Sequence, residues 1–259
     1  MAKYQNYLID LDGTTYRGRQ PIPAAQRFIH RLQAQQLPFA FLTNNTTKTP
    51  QAVVQNLAQN HNIKVQPEQV ITPSAATADF LLEQAGTHLK DQSLYVIGEQ
   101  GLKTPLYQTG LQFNETDPNY VVVGLDSDVT YHKFELATLA ILRGAQFIGT
   151  NADTNLPNER GLVPGAGSVI SLVETATQRR AIYIGKPERR IADYALKTLR
   201  WSRDQVLLIG DNYQTDIKCG LAAGIDTLLV YTGVSTPQQV QQQKDLPTYQ
   251  VASLDDWEL

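Results

Sequence analysis

Short apolar runs alternate along the chain with segments whose apolar residues recur at helical spacing. Four runs stay apolar for several residues and then change abruptly to small polar residues or glycine: YLID to Asp10, FAFLTNN to Asn45, VLLIGDN to Asn212 and TLLVYTG to Gly233. Parallel strands covered on both faces show this pattern, because neither face meets water. The pattern therefore predicts an α/β fold with a largely parallel sheet, whose strand ends are candidates for ligand binding.

The middle of the chain repeats this alternation with its own segments. SLYVIGE, YVVVGLD and QFIGTNAD are predicted strands, and YHKFELATLAILRG is a predicted helix. The composition marks no linker, so the case for two domains depends on the motifs considered below.

Composition and charge exclude several classes of function. The chain has 259 residues and a net charge of −3, which gives no electrostatic footprint for nucleic acid or an anionic membrane. Its apolar runs fall short of the roughly 20 residues of a membrane span, and we expect no signal peptide, because the first predicted strand starts almost at Met1. The lone Cys219 excludes an internal disulfide. We therefore expect a cytoplasmic protein with neither nucleic-acid nor membrane partners.

Asp10 and Asp12 follow the first apolar run and stand two residues apart. In an extended segment, side chains at this spacing point the same way, so the two carboxylates would repel each other. If they serve a phosphate ester, attack on the phosphoryl group also meets repulsion of about 4 kcal/mol per charge pair at 4 Å. A divalent cation would relieve both repulsions, and hard oxygen ligands suit Mg²⁺.

Three further clusters have the chemistry that a phosphate site needs. Thr43-Asn44-Asn45 offers a hydroxyl and amides, Lys186 in a Gly-Lys-Pro turn offers a positive charge, and GDNYQTD at residues 210–216 adds two acids. Each cluster alone also fits a bland structural role: a turn, a strand cap, a solvated lysine or a helix N-cap. The first cluster is not an EF-hand loop, since Pro21 stands where that loop needs glutamate.

In this order, the four clusters resemble the sequence motifs of the haloacid dehalogenase superfamily. The matching residues are Asp10-Leu11-Asp12-Gly13-Thr14, Thr43, Lys186, and Gly210-Asp211 with Asp216. LTNN, GDNYQTDI and NLPNERGLVPGAGS are most similar to its subclass IIA, the branch of NagD and 4-nitrophenylphosphatase. The resemblance implies a Rossmann-like parallel-sheet core with an inserted α/β cap of the C2 type. It also implies a Mg²⁺-dependent phosphatase. Dehalogenation is not expected, because aspartate at the position of Asp12 is typical of the superfamily's phosphatases and is lacking in its dehalogenases.

The resemblance implies a role for each matching residue. Asp10 would be the nucleophile, forming an aspartyl-phosphate, and Asp12 would transfer the protons. Mg²⁺ would be bound by the carboxylates of Asp10 and Asp211 and by the backbone carbonyl of Asp12. The expected phosphate-binding residues are Thr43, Asn44 and Lys186, and the expected supporting residues are Asn45 and Asp216.

The long gap between Thr43 and Lys186 implies the cap, which we place at residues 78–181 between core segments 1–77 and 182–259. The loop Asn151–Pro157, including Leu156, and the PGAG segment at 164–167 are candidates for facing the substrate. A turn and helix start internal to the cap is an equally good interpretation. Leu156 stands where pyridoxal phosphatases of the superfamily carry histidine, which disfavours pyridoxal phosphate. A homodimer through the cap is a further expectation.

The leading hypothesis is a phosphatase for small phosphorylated metabolites: sugar phosphates, nucleoside monophosphates or aryl phosphates. A phosphometabolite-binding regulator without turnover is the first alternative, and the intact set of Asp10, Asp12, Lys186 and Asp211 argues against it. A phosphomutase is the second alternative. Mutases of the superfamily usually carry a cap between the first two motifs, and the roughly thirty residues between Asp12 and Thr43 are too few for it.

Overall fold

The computed structural model describes residues 4–158 and 160–259. The chain divides into two compact units. The first unit comprises Met1–Thr43, Pro50–Ile71 and Lys186–Leu259, and the second comprises Asn44–Thr49 and Thr72–Gly185. Both are built from parallel strands and helices, which confirms the predicted α/β class.

The strands and helices follow one another in chain order through the two units. The first part of the first unit contains β1 (Asn6–Ile9), β2 (Tyr16–Arg17), β3 (Gln20–Pro21), α1 (Pro23–Ala34), β4 (Phe39–Leu42), α2 (Pro50–His61) and β5 (Val70–Ile71). The second unit contains α3 (Pro73–Ala85), β6 (Ser93–Ile97), α4 (Gln100–Tyr107), β7 (Gln112–Phe113), β8 (Tyr120–Val123), α5 (Tyr131–Arg143), β9 (Gln146–Gly149), β10 (Asn155–Asn158), β11 (Gly161–Pro164), α6 (Ala166–Thr177) and β12 (Ile182–Tyr183). The chain then completes the first unit with α7 (Arg189–Leu199), β13 (Val206–Gly210), α8 (Lys218–Ala223), β14 (Asp226–Val230), α9 (Pro237–Gln241) and β15 (Tyr249–Val251).

The sheet of the first unit has the strand order β15-β14-β13-β1-β4-β5, and all its neighbours are parallel. Ile9 at the end of β1 pairs with Ile209 in β13 on one side and with Phe41 in β4 on the other. This register brings the carboxyl ends of three strands level. Residues that directly follow β1, β4 and β13 therefore meet at one edge of the sheet.

The core of the first unit explains its apolar runs. All four residues of β1 are buried, since helices cover both faces of a parallel sheet. Phe28 and Ile29 of α1 and Leu57 of α2 are fully buried in the same core as Ile9. Complete burial of such a side chain contributes roughly 1.5–3 kcal/mol each, so this core fixes the strand ends firmly.

The second unit contains a smaller sheet with the order β12-β9-β8-β6-β7, also parallel throughout. Its core includes Val121 and Val123 of β8, Ile141 of α5 and Ile170 of α6. A separate antiparallel hairpin, β10–β11, pairs Leu156 with Val163. Residue 78, the predicted start of the cap, lies inside α3, which belongs to the second unit from its first residue. The assignment of the two units as core and cap stays a prediction.

Within residues 4–158 and 160–259, the helices are too short or too polar to traverse a bilayer.

Candidate active site

Lys186 lies at the centre of the residues gathered at the carboxyl edge of the first sheet. Its Nζ donates hydrogen bonds to Asp10 Oδ1 at 2.6 Å, to Asp216 Oδ1 at 2.6 Å and to the Leu42 carbonyl at 2.9 Å. Asp10 directly follows β1 and its backbone N–H donates to the Ile209 carbonyl at 2.9 Å. One ammonium group thus connects the ends of β1 and β4 with the turn after β13, and its side chain is 3% exposed.

Asp211 and Asp216 approach this centre from the end of β13. Asp211 accepts a hydrogen bond from the Thr14 hydroxyl at 2.9 Å on Oδ1. Asp216 lies in a π-helical turn, Tyr213–Ile217, and its Oδ2 accepts the Asn212 N–H at 3.0 Å. A side chain on Gly210 would place its Cβ 2.2 Å from Asp216 Cβ, so only glycine permits this close packing.

Three buried carboxylates share the site. Oxygens of Asp10, Asp211 and Asp216 all lie within 4.8 Å of one another. Burial, opposed by Lys186, raises the pKa of Asp10 well above its usual value. Burial, together with the charge of Asp216, raises the pKa of Asp211 to about 6. Burial alone would lower the pKa of Lys186, but Asp10 and Asp216 raise it above its ordinary value. The lysine therefore stays charged, and ionisation of all three carboxyl groups would leave an excess of buried negative charge that its single charge cannot balance.

This excess fits a divalent cation. An uncompensated carboxylate in a low-dielectric environment is costly, and a cation removes the cost. Clustered carboxylate oxygens are the hard ligands that Mg²⁺ takes, and nitrogen or sulfur ligands are not part of the cluster among the described residues. The oxygens of Asp10, Asp211 and Asp216 are thus suited to hold the predicted ion, and the Asp12 carbonyl stays a ligand predicted from the family resemblance.

Asp12 lies differently from what the sequence suggested. Strand β1 ends at Ile9, and the chain then turns, with the Thr15 N–H donating to the Leu11 carbonyl at 2.8 Å. The premise that Asp10 and Asp12 project side by side from an extended segment is therefore wrong. The Asp12 side chain is exposed, and its Oδ1 accepts the Gly18 N–H at 3.3 Å. One acid is buried and paired, while the other is accessible for proton exchange.

The Thr43-Asn44-Asn45 cluster is divided between the two units. Thr43 is buried at the end of β4 in the first unit, and its N–H donates to the Ile71 carbonyl at 3.1 Å. Asn44 belongs to the second unit, where its Nδ2 donates to Asp153 Oδ2 at 3.0 Å. Asn45 accepts the Thr47 N–H at 2.8 Å on its side-chain oxygen, which is the capping role that the sequence left open.

The PGAG segment is closely packed against the loop that begins at Asn151. A Cβ on Gly165 would lie 2.3 Å from the Asp153 carbonyl oxygen, and a Cβ on Gly167 would lie 2.5 Å from that of Ala152. Helix α6 begins at Ala166, between these glycines. The glycines are therefore explained by packing within the second unit, which agrees with the structural interpretation of this segment.

Leu156 lies in β10, and residue 159 of the NLPNERGLVPGAGS stretch is outside the described residues.

Sequence reasoning missed the segment after β14. The Val234 N–H donates to Asp211 Oδ2 at 2.7 Å, and the Ser235 N–H donates to the Asp211 carbonyl at 3.2 Å. The sequence did indicate a strand end here, because the apolar run TLLVYTG stops abruptly at Gly233. The segment carries no obvious chemical group, so it was not included among the candidate site residues.

Comparisons with known proteins agree with this geometry. The profile of the haloacid dehalogenase-like hydrolases matches residues 7–112, and a HAD-hydrolase-like profile matches residues 183–257. The 5'-nucleotidase YutF of Bacillus subtilis is 42% identical over 257 residues, covering 99% of this chain and 98% of the relative. An acid sugar phosphatase of Staphylococcus epidermidis is 44% identical over 255 residues, covering 98% and 96%. The structure of NagD from E. coli K-12 superposes with a TM-score of 0.91 at 30% identity, covering 99% of each chain.

Proposed function

The chain belongs to the haloacid dehalogenase-like hydrolase family, in its NagD-like branch, and we propose that it is a Mg²⁺-dependent phosphatase of small metabolites. Membership of a branch of phosphatases makes it a phosphoric monoester hydrolase, as the sequence predicted. The finer proposal concerns the ion, the covalent intermediate and the substrates. The observation that carries it is the Asp10–Lys186–Asp216 arrangement with Asp211 beside it.

Asp10 is proposed as the nucleophile. One of its oxygens is held by Lys186 at 2.6 Å, which orients the carboxylate. An Asp10 oxygen attacks phosphorus, the bond from phosphorus to the ester oxygen breaks, and the departing oxygen takes a proton from Asp12. The phosphoryl group is then on Asp10. Asp12 removes a proton from water, which attacks this phosphorus and releases inorganic phosphate, restoring the free Asp10 carboxylate.

The remaining residues stabilise charge. Bound Mg²⁺ would reduce the repulsion between the Asp10 carboxylate and the anionic phosphoryl group. Lys186 and Thr43 are proposed to hold the phosphoryl oxygens, and Lys186 keeps its charge because two carboxylates face it. Asp216 keeps Lys186 in place, since its second oxygen is engaged with Asn212 N–H. Asn44 remains a proposed phosphate contact by the family resemblance.

The second unit is proposed as the cap that reads the leaving group. The related nucleotidase and sugar phosphatase match this chain over nearly its whole length, but the substrates given in their names differ. A common phosphate chemistry with variable recognition explains such a difference. We therefore propose nucleoside monophosphates, sugar phosphates and aryl phosphates as the substrate class, with Leu156 and its loop as candidates for specificity. A homodimer through the cap and a cytoplasmic location stay predictions.

The experiment uses purified protein that has been treated with EDTA and then dialysed. Release of inorganic phosphate is measured for a nucleoside monophosphate, a hexose phosphate and 4-nitrophenyl phosphate, before and after MgCl₂ is added. We expect turnover only with MgCl₂, and a phosphorylated Asp10 peptide after rapid acid quench. Full turnover after chelation would contradict the metal role. Binding without phosphate release would support the regulator alternative, and an isomeric phosphate ester as product would support a mutase.

A further inference from the structure

The segment Thr232–Ser235, which follows β14, encloses Asp211 but has no part in the proposed chemistry. Val234 N–H donates to Asp211 Oδ2 at 2.7 Å, and Ser235 N–H donates to the Asp211 backbone carbonyl at 3.2 Å. The Ser235 hydroxyl also accepts the Tyr213 N–H at 2.7 Å. These contacts hold the Asp211 backbone and one carboxylate oxygen at the same time.

Two glycines confine the Asp211 carboxylate. A Cβ on Gly233 would lie 1.9 Å from Asp211 Oδ2. A Cβ on Gly13 would lie 2.5 Å from both carboxylate oxygens, and Gly13 has a φ of +95°, which other residues rarely adopt. Since Asp211 is 1% exposed, the carboxylate has no room to move away from an added side chain. It therefore lies between two stretches of bare backbone.

Thr232 joins these two stretches. Its hydroxyl donates to the Gly13 carbonyl at 2.8 Å, while its own carbonyl accepts the Arg17 Nε–H at 2.7 Å. Thr14, the neighbour of Gly13, is the residue whose hydroxyl holds Asp211 Oδ1. Both carboxylate oxygens are thus held by segments that the Thr232 hydroxyl ties together.

We propose that Thr232 is a positioning residue for Mg²⁺ binding, acting through Asp211; this inference rests on the proposed function. Mg²⁺ demands nearly ideal octahedral geometry, so a ligand that can rotate binds it less well. Loss of the outer partners of a metal ligand typically costs 10–100-fold in metal affinity. Removing the Thr232 hydroxyl frees the two glycine segments to separate and leaves the Asp211 carboxylate less well oriented.

The test compares Thr232→Val, which keeps the shape but loses the hydroxyl, with Thr232→Ser, which keeps the hydroxyl. Mg²⁺ binding is measured by calorimetric titration of MgCl₂ into the metal-free protein without substrate. The Mg²⁺ concentration for half-maximal turnover is a second readout. We expect about tenfold weaker Mg²⁺ binding in Thr232→Val, near-normal binding in Thr232→Ser, and a kcat at saturating Mg²⁺ close to that of the wild type in both.

Thr236→Val is the matched control. The Thr236 hydroxyl accepts the Gln239 N–H at 3.4 Å and caps α9, without contacting Asp211 or Gly13 in the described structure. The Thr236→Val variant should have a lower Tm but an unchanged affinity for Mg²⁺. Wild-type affinity in Thr232→Val, or equal weakening in both valine variants, would overturn the inference. If the wild type bound no Mg²⁺, and if Asp211→Ala changed neither Mg²⁺ binding nor turnover, the proposed metal site would be contradicted, and the inference with it.

Discussion

The two units contain parallel sheets of similar design but use the carboxyl ends of their strands differently. In the second unit, Asp126 follows β8 and pairs with Lys133 at 2.9 Å, only seven residues along the chain. Glu99 follows β6 and accepts the Ser127 hydroxyl at 2.8 Å. In the first unit, Lys186 pairs with Asp10 across 176 residues of sequence and with Asp216 as well.

This comparison separates structural acids from acids arranged for chemistry. The Asp126–Lys133 pair balances one charge against one, and the lysine side chain is 28% exposed. At the first sheet, three buried carboxylates face the Lys186 ammonium, and burial raises the pKa of Asp10 and Asp211. A fold does not need such an excess for stability, because buried charges are expensive even when they are paired. Strongly perturbed acids at a strand end therefore indicate function.

The largest expected effect comes from exchanging one carboxylate for an amide in each unit. Asp10→Asn should lower kcat by several orders of magnitude, because an amide is a poor nucleophile and a poor metal ligand. Asp126→Asn should leave kcat near the wild-type value. Steady-state kinetics with 4-nitrophenyl phosphate measures both, and circular dichroism checks the folding. Substantial turnover in Asp10→Asn would remove the distinction between the two acids.

Replacing the two lysines should give the next largest effect. Lys186→Ala should lower kcat by roughly 10²–10³-fold on every substrate alike, since the lost charge faces the common phosphoryl group. It should also lower the Tm, because Asp10 and Asp216 lose their partner. Lys133→Ala should affect turnover little. A substrate-dependent loss in Lys186→Ala would mean that this lysine reads the leaving group.

Substitutions at Leu156 and in its loop test the proposed role of the second unit in substrate specificity. Leu156→Ala, and substitutions at Asp153-Thr154-Asn155, should reorder substrates, changing kcat/KM for bulky leaving groups more than for small ones. A change of one methylene in the apolar surface that meets the substrate is worth roughly 1–3 kcal/mol, or about 10–200-fold in discrimination. The measurement is kcat/KM over a panel of phosphate esters. A common factor for all substrates would show that this loop does not determine specificity.

The pH dependence of Mg²⁺ binding should give the smallest effect. The pKa of Asp211 is raised to about 6 in the metal-free protein, so below this pH Mg²⁺ must displace a proton. The apparent Mg²⁺ affinity should fall as the pH is lowered, by about tenfold per pH unit for each carboxyl group that must lose its proton, and the raised pKa of Asp10 should extend this fall above pH 6. Calorimetric titration between pH 5 and 8 measures this dependence. Asp211→Asn should bind Mg²⁺ weakly at every pH, and a flat wild-type profile would contradict the assignment.

The apolar runs by themselves determined the strands that carry the site. Strands β4 and β13 lie within the predicted runs, and β1 and β14 each begin one residue before theirs, at Asn6 and Asp226. Such features depend on neighbouring residues, which is why a single sequence reveals them. The order of the four motifs likewise identified the family, because each motif is local even though the site is not.

Only the tertiary structure decided how the charged groups meet. Lys186 reaches Asp10 because the register of β1 with β4 and β13 levels their ends, and register depends on packing over the whole sheet. Because the chain turns after Ile9, the Asp12 side chain is exposed, which differs from the extended geometry expected from its spacing. The backbone of Thr232–Ser235 could not be foreseen, since N–H groups and bare glycines act here through position alone. Local pattern specifies elements, whereas the distances that make chemistry arise from contacts between residues far apart in the chain.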